Sequence, residues 1–212
     1  MKRLFENKLL DWKQSGMNKP LMVVGARQVG KTYIIENFCK NNFEKYLYFN
    51  LEKNLEVKNI FEKTIDESKI IEELELIIGE KIDIEKTIFF FDEIQESENF
   101  IVSLKYFNES SKPYKIICAG SLLGVKISRF KSSFPVGKIR MEYMYPMNFE
   151  EFLIASGKEI LRNKIIECFN TMSPMPDFAH EQALTLYKQY LCVGGMPEAV
   201  NNFIENDLDI LK

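Results

Sequence analysis

The residue types and spacing that can do chemistry begin with Gly25-Ala26-Arg27-Gln28-Val29-Gly30-Lys31-Thr32. Two glycines bound a turn, and a lysine and a hydroxyl follow the second at once. A turn of this kind can fold its backbone N–H groups around a phosphate if the residues at its ends stay small. A helix starting at Lys31 would aim its free N–H groups and positive dipole end at the same anion. Lys31 then supplies a charge for the outer phosphates of a nucleoside triphosphate, and the Thr32 hydroxyl is a ligand for Mg²⁺. Gly25 to Tyr33 are therefore the candidate nucleotide-binding residues. The bland alternative is a glycine turn beside a solvated lysine.

A second cluster lies at Asp92-Glu93. A carboxylate at Asp92 can help hold the magnesium ion between phosphates. An acid directly after it, Glu93, is placed to activate an attacking water, which favours hydrolysis over transfer to a small acceptor. Ser121 is the third candidate, a hydroxyl for the terminal phosphate or the water. Gln95 is a weaker one. A second cation for the transition state would come from Arg27, Arg129, Lys138 or Arg140, and each of these also reads as a solvated surface residue.

These groups need elements to position them. Leu21 to Val24 form an apolar run before the glycine turn, and Tyr33 to Lys40 continue as a helix. Glu44 to Asn50 read as a strand, and 55–80 carry one helical period stopped by Gly79. Thr87 to Asp92 are apolar and end in acid, which predicts a strand buried on both faces. Residues 99–110 read as a helix, Tyr114 to Ala119 as a strand, and Lys138 to Tyr145 as a fifth strand. The alternation predicts an α/β fold with a parallel sheet, whose site lies at the carboxyl ends of the strands. The glycine turn, Asp92-Glu93 and Ser121 all fall at such ends.

Residues 1–16 show helical apolar spacing, and 124–137 read as a mobile loop near the site. Asn148 is placed to cap a helix from Phe149 to Ser156. Helices are expected at 159–170 and 179–192, separated by Ser173-Pro174-Met175-Pro176, and Ile204 to Lys212 form an amphipathic stretch. We therefore expect a nucleotide-binding domain over 1–156. Residues 157–212 read as the start of a helical lid or linker, truncated at Lys212.

The chain has 212 residues, 46% of them hydrophobic and 28% charged, with a net charge of -3, which gives no bulk signal for nucleic acid. No apolar run reaches membrane-spanning length, and no signal-peptide core follows Met1. Cys39, Cys118, Cys168 and Cys192 are scattered and His180 is the single histidine. A zinc site is not expected, and a reducing cytoplasmic setting is.

The chain resembles the bacterial and archaeal AAA-type P-loop ATPases that carry a poorly characterised C-terminal domain. The similarity runs through the glycine turn, Phe91-Asp92-Glu93-Ile94-Gln95 and Ala119-Gly120-Ser121-Leu122-Leu123-Gly124. It continues in Ser133-Phe134-Pro135-Val136-Gly137-Lys138, Tyr145-Pro146-Met147-Asn148-Phe149-Glu150-Glu151-Phe152 and Gly194-Gly195-Met196-Pro197-Glu198-Ala199. The resemblance implies a three-layer P-loop sandwich with sheet order 5-1-4-3-2 and a small helical part behind it. It implies a Walker A loop using Lys31 and Thr32, and a Walker B strand with Asp92 on Mg²⁺ and Glu93 as catalytic base. Ser121 would take the place of the polar sensor residue, and ATP and Mg²⁺ would be the cofactors. Relatives often have Gly-Arg where this chain has Gly137-Lys138. Relatives are also longer. The expected activity is Mg-dependent ATP hydrolysis coupled to a conformational switch. The alternatives are a nucleotide-gated interaction module with weak turnover and, further off, a nucleic-acid motor or a small-molecule kinase. A protein partner or self-association is expected, without a membrane.

Overall fold

The computed structural model describes residues 1–16, 19–121 and 134–206. The loop expected over 124–137 therefore lies almost wholly outside the described residues, as do Arg129 and the end of the Ile204–Lys212 stretch. The described residues pack as two compact units, Phe5–Met144 and Met1–Leu4 together with the residues from Tyr145 onward.

The first unit holds a five-stranded parallel sheet: β1 (Leu21–Val24), β2 (Lys45–Asn50), β3 (Thr87–Asp92), β4 (Lys115–Gly120) and β5 (Arg140–Tyr143), in the order β2-β3-β4-β1-β5. Read from the other edge, this is the 5-1-4-3-2 order of the P-loop fold. Its helices are α1 (Phe5–Gln14), α2 (Lys31–Asn42), α3 (Leu55–Lys63), α4 (Glu67–Ile78) and α5 (Glu98–Glu109).

All six residues of β3 are buried, because this strand has neighbours on both edges and side chains on both faces. Phe89 and Phe91 point to one face with α3, α4 and α5. There Phe91 meets Phe49, Phe61 and Phe100 at ring-centroid distances of 5.5, 5.6 and 4.8 Å. Alternation sends Ile88 and Phe90 to the opposite face. Phe90 meets the Tyr48 ring at 5.2 Å. Burying this run fixes Asp92, its last residue, at the carboxyl rim. The register pairs Asn50 with Asp92, Val24 with Gly120 and Phe91 with Cys118, so these four strand ends finish within one residue of each other.

Two expectations change. The helical period over 55–80 is interrupted: Asp66 accepts from the backbone N–H groups of Ser68 and Lys69, both at 3.1 Å, and starts a second helix. A short acid that can bond its own backbone competes with helix continuation, which a count of apolar spacing does not register. Gly79 does end that helix, at φ 76°. The N-terminal helix begins only at Phe5, because the residues before it are engaged elsewhere.

In the second unit, Glu151 collects them. Its carboxylate accepts from Arg3 Nε at 3.0 Å and from the Leu4 N–H at 2.8 Å, while Arg3 Nη2 donates to the Tyr145 carbonyl at 2.8 Å. Glu151 also completes a capping box with Asn148 at the start of α6 (Phe149–Ala155). The remaining helices are α7 (Glu159–Thr171), α8 (Asp177–Val193) and α9 (Pro197–Glu205). The sequence reading missed α9, whose start is Pro197 directly after the Gly194-Gly195-Met196 turn. Phe149 and Phe152 of α6 pack on Tyr190 of α8, and Phe152 also packs on Phe203 of α9. This packing groups α6 with the later helices.

Candidate nucleotide site

Gly25 follows β1 with ordinary backbone geometry, yet nothing larger fits. A Cβ there would sit 2.2 Å from the Met144 carbonyl oxygen just beyond β5. The first glycine is thus required by the neighbouring strand end, not by a left-handed turn. Gln28 and Gly30 do adopt left-handed backbone, φ 64° and 91°. The curl brings α2 to start at Lys31 with no side chain capping its first turn. Its leading N–H groups are left for an anion.

A cleft of about 440 Å³ lies over this turn, lined by Arg27, Gln28, Gly30, Lys31, Thr32 and Tyr33 with Glu52, Asp92 and Glu93. The lining brings together six of the nine candidate residues of the glycine turn with Asp92, the last residue of β3, and Glu93 directly after it. Gly25 and Ala26 act through their carbonyls, which accept from Lys31 Nζ at 3.0 and 2.7 Å. Val29 is fully buried beneath the turn. Glu52 was not foreseen. It lies just past β2, where the Asn50 side chain holds the Glu52 and Lys53 N–H groups at 3.0 Å each, and only the sheet order puts it beside the glycine turn.

Thr32 and Asp92 are the tightest pair. The Thr32 hydroxyl donates to Asp92 Oδ2 at 2.7 Å, the Tyr48 hydroxyl reaches the same oxygen at 3.4 Å, and the Glu93 N–H donates to Oδ1 at 2.9 Å. Burial pushes the Asp92 carboxyl above the usual carboxylate range, against the hydrogen bond from Thr32. Burial likewise lowers the Lys31 ammonium from its ordinary value, against the attraction of Glu93 and Asp92. Asp92 and Lys31 are thus charges held at a cost, in the positions a charged ligand would relieve.

Glu93 sits in left-handed backbone at φ 53°, which is uncommon for a non-glycine residue. Gln95 Nε2 donates to Glu93 Oε2, and Gln95 Oε1 accepts from the Ser121 N–H at 3.1 Å. Gln95, a weak candidate in the sequence, thus bridges two strong ones. Ser121 is buried, does not line the cleft, and its hydroxyl has no partner among the described residues. Its recorded tie to the site runs through its backbone.

The remaining cations separate. Arg27 is the one arginine lining the cleft among the described residues. Arg140 opens β5 opposite Leu21, at the amino end of the sheet, and pairs with Glu142. Lys138 pairs with Glu109 at 2.8 Å. Neither reaches the phosphate turn, because a parallel strand delivers its first residue to the rim opposite its last.

A phosphate turn between β1 and α2, with an acid-ended β3 two strands away, defines the P-loop NTPase class. A family model described as an AAA domain matches residues 17–153. The chain belongs to that AAA family. Among solved structures it is similar to the Walker-type ATPase PABY2304 of Pyrococcus abyssi at 16% identity and TM-score 0.52, over 96% of this chain and 67% of that one. It is also similar to a chain of the Drosophila ORC bound to DNA at 14% identity and TM-score 0.52, over 93% of this chain and 57% of that one. These likenesses speak for the fold. No curated protein matches the chain.

Proposed function

We propose that this chain binds ATP with Mg²⁺ and hydrolyses it, and that the nucleotide state repositions the helices that follow the sheet. The observation that carries the reading is the convergence of Lys31, the Thr32–Asp92 pair and Glu93 on one cleft. Thr32 Oγ1 and Asp92 Oδ2 are hard oxygen donors from two different elements, the set Mg²⁺ prefers. Among the described residues no group of three His, Cys, Asp or Glu side chains could hold a metal. When bound, Mg²⁺ would neutralise charge on the outer phosphates. The α2 N–H groups and Lys31 would hold and orient those phosphates. Glu93 would take a proton from the attacking water. The same charges support the triphosphate end of the nucleotide as the ligand. Free cysteines at 39, 118, 168 and 192 are consistent with a reducing, cytoplasmic setting. No helix among the described residues is long and apolar enough to cross a membrane.

A second reading has its own support. With Lys138 and Arg140 directed away, Arg27 is, among the described residues, the arginine at hand to stabilise transition-state charge. A slow, nucleotide-gated module that receives a further cation from a protein partner or second copy follows from that. Phosphate release from Mg-ATP, wild type beside Glu93→Gln, tests both. Turnover abolished by the substitution, with ATP still bound, supports the hydrolase. ATP binding with negligible turnover in both proteins supports the gated module, and failure to bind ATP refutes both.

A further inference from the structure

We propose that Gln95 is the positioning residue of Glu93, locking one oxygen of the carboxylate so that the other faces the cleft. The inference rests on the hydrolase reading of Glu93 given above. Its observations are separate: a side-chain amide that spans from Glu93 to Ser121, and a left-handed backbone at the residue it holds.

The amide's direction is dictated by chemistry. The Ser121 N–H is a donor and must meet an oxygen, so Gln95 Oε1 faces Ser121 at 3.1 Å. That turns Nε2, a donor, toward the carboxylate, which only accepts. Glutamine satisfies both ends in this order, and no other side chain of that length does. Gln95 itself is fixed by the single 3-10 turn Ile94–Glu96, whose Ile94 is buried. Glu93 precedes that turn at φ 53° and ψ 43°. Left-handed backbone is unfavourable for a non-glycine residue and persists where its surroundings hold it. A carboxylate on a solvent-facing cleft wall would otherwise sample several rotamers. One donated hydrogen bond selects one of them and leaves Oε1 to accept from water. The link also joins the ends of β3 and β4, so a shift of Ser121 moves the amide that holds Glu93.

The test separates positioning from scaffolding. Gln95→Glu keeps the size and the acceptor for the Ser121 N–H, but it sets a carboxylate against Glu93. Gln95→Ala removes both ends. Steady-state phosphate release from Mg-ATP is measured for wild type, Glu93→Gln and both Gln95 variants, with melting temperatures alongside. Positioning predicts that Gln95→Glu loses kcat at least 10-fold, with KM within about twofold of wild type and an unchanged melting temperature. It predicts that Gln95→Ala loses kcat as well. A structural bridge predicts that Gln95→Ala melts lower and keeps the wild-type kcat. That result overturns the proposal, as does a rise of kcat in either variant, which would make Gln95 a restraint. If Glu93→Gln turns over as wild type does, or wild type does not turn over at all, the hydrolase reading fails and this inference falls with it. A dead Glu93→Gln beside a fully active Gln95→Glu sinks the inference alone.

Discussion

Gly25→Ala isolates the constraint that the neighbouring strand end puts on the phosphate turn. The new Cβ would lie 2.2 Å from the Met144 oxygen and 3.2 Å from its carbonyl carbon. Comfortable carbon–oxygen contact needs roughly 3.5 Å, so about 1 Å of movement is forced. Neither side yields freely. The Met144 N–H donates to the Val24 carbonyl at 2.8 Å, closing the β1–β5 ladder. The Gly25 carbonyl holds Lys31 Nζ at 3.0 Å. Overpacking of this kind costs about 1–3 kcal/mol, and one strained backbone hydrogen bond adds about 1 kcal/mol. We expect a loss of about 2–4 kcal/mol, read as a fall in melting temperature of roughly 5–15 °C. Nucleotide affinity should fall with it. The assay is thermal unfolding of the ligand-free protein by circular dichroism, with titration of a fluorescent ATP analogue on the folded variant. Gly137→Ala is the contrast: it strains a left-handed backbone, φ 77°, which Gly25→Ala does not, but its Cβ meets open space among the described residues, so its shift should be smaller. A Gly25→Ala protein that melts with wild type and binds as tightly would refute the reasoning. Normal melting with lost binding would assign the glycine to the phosphate contact instead.

Further outcomes follow from the site and the second unit. Lys31→Ala should weaken ATP binding by roughly 100-fold or more, since charge-assisted contacts contribute about 1.5–3 kcal/mol each; equilibrium titration checks it, and unchanged affinity would remove Lys31 from the site. Asp92→Asn should melt higher than wild type at neutral pH. The folded-state value of Asp92 is raised, so its contribution to stability is full below the ordinary carboxylate value and lost as pH rises through the raised one. The gap between variant and wild type should therefore shrink as pH falls toward roughly 4, and a gap constant down to that pH would argue against a buried charge. Glu151→Ala should destabilise the second unit by about 3–5 kcal/mol, because Arg3, 7% exposed, loses its carboxylate and the capping box of α6 loses its glutamate half. Chemical denaturation would test this, and a loss below about 1 kcal/mol would mean that Arg3 finds water.

What the sequence determined by itself is local. The spacing from Gly25 to Thr32 carries a turn, a helix start, a charge and a hydroxyl within one short stretch, so no distant residue is needed to recognise it. The apolar run ending in Asp92 marks its own burial, and alternating strands and helices limit the sheet to parallel topologies. The AAA family was legible for the same reason. Tertiary structure decided what depends on which strand end adjoins which. It set Glu52 in the cleft, turned Lys138 and Arg140 away from it, and made Gly25 answer to Met144. It also joined Gln95 to Ser121, and Arg3 to Glu151 across 148 positions of the chain. None of these leaves a periodic or spacing signal, because each is a contact between residues whose separation along the chain is arbitrary and whose proximity arises only when the sheet and the helices close.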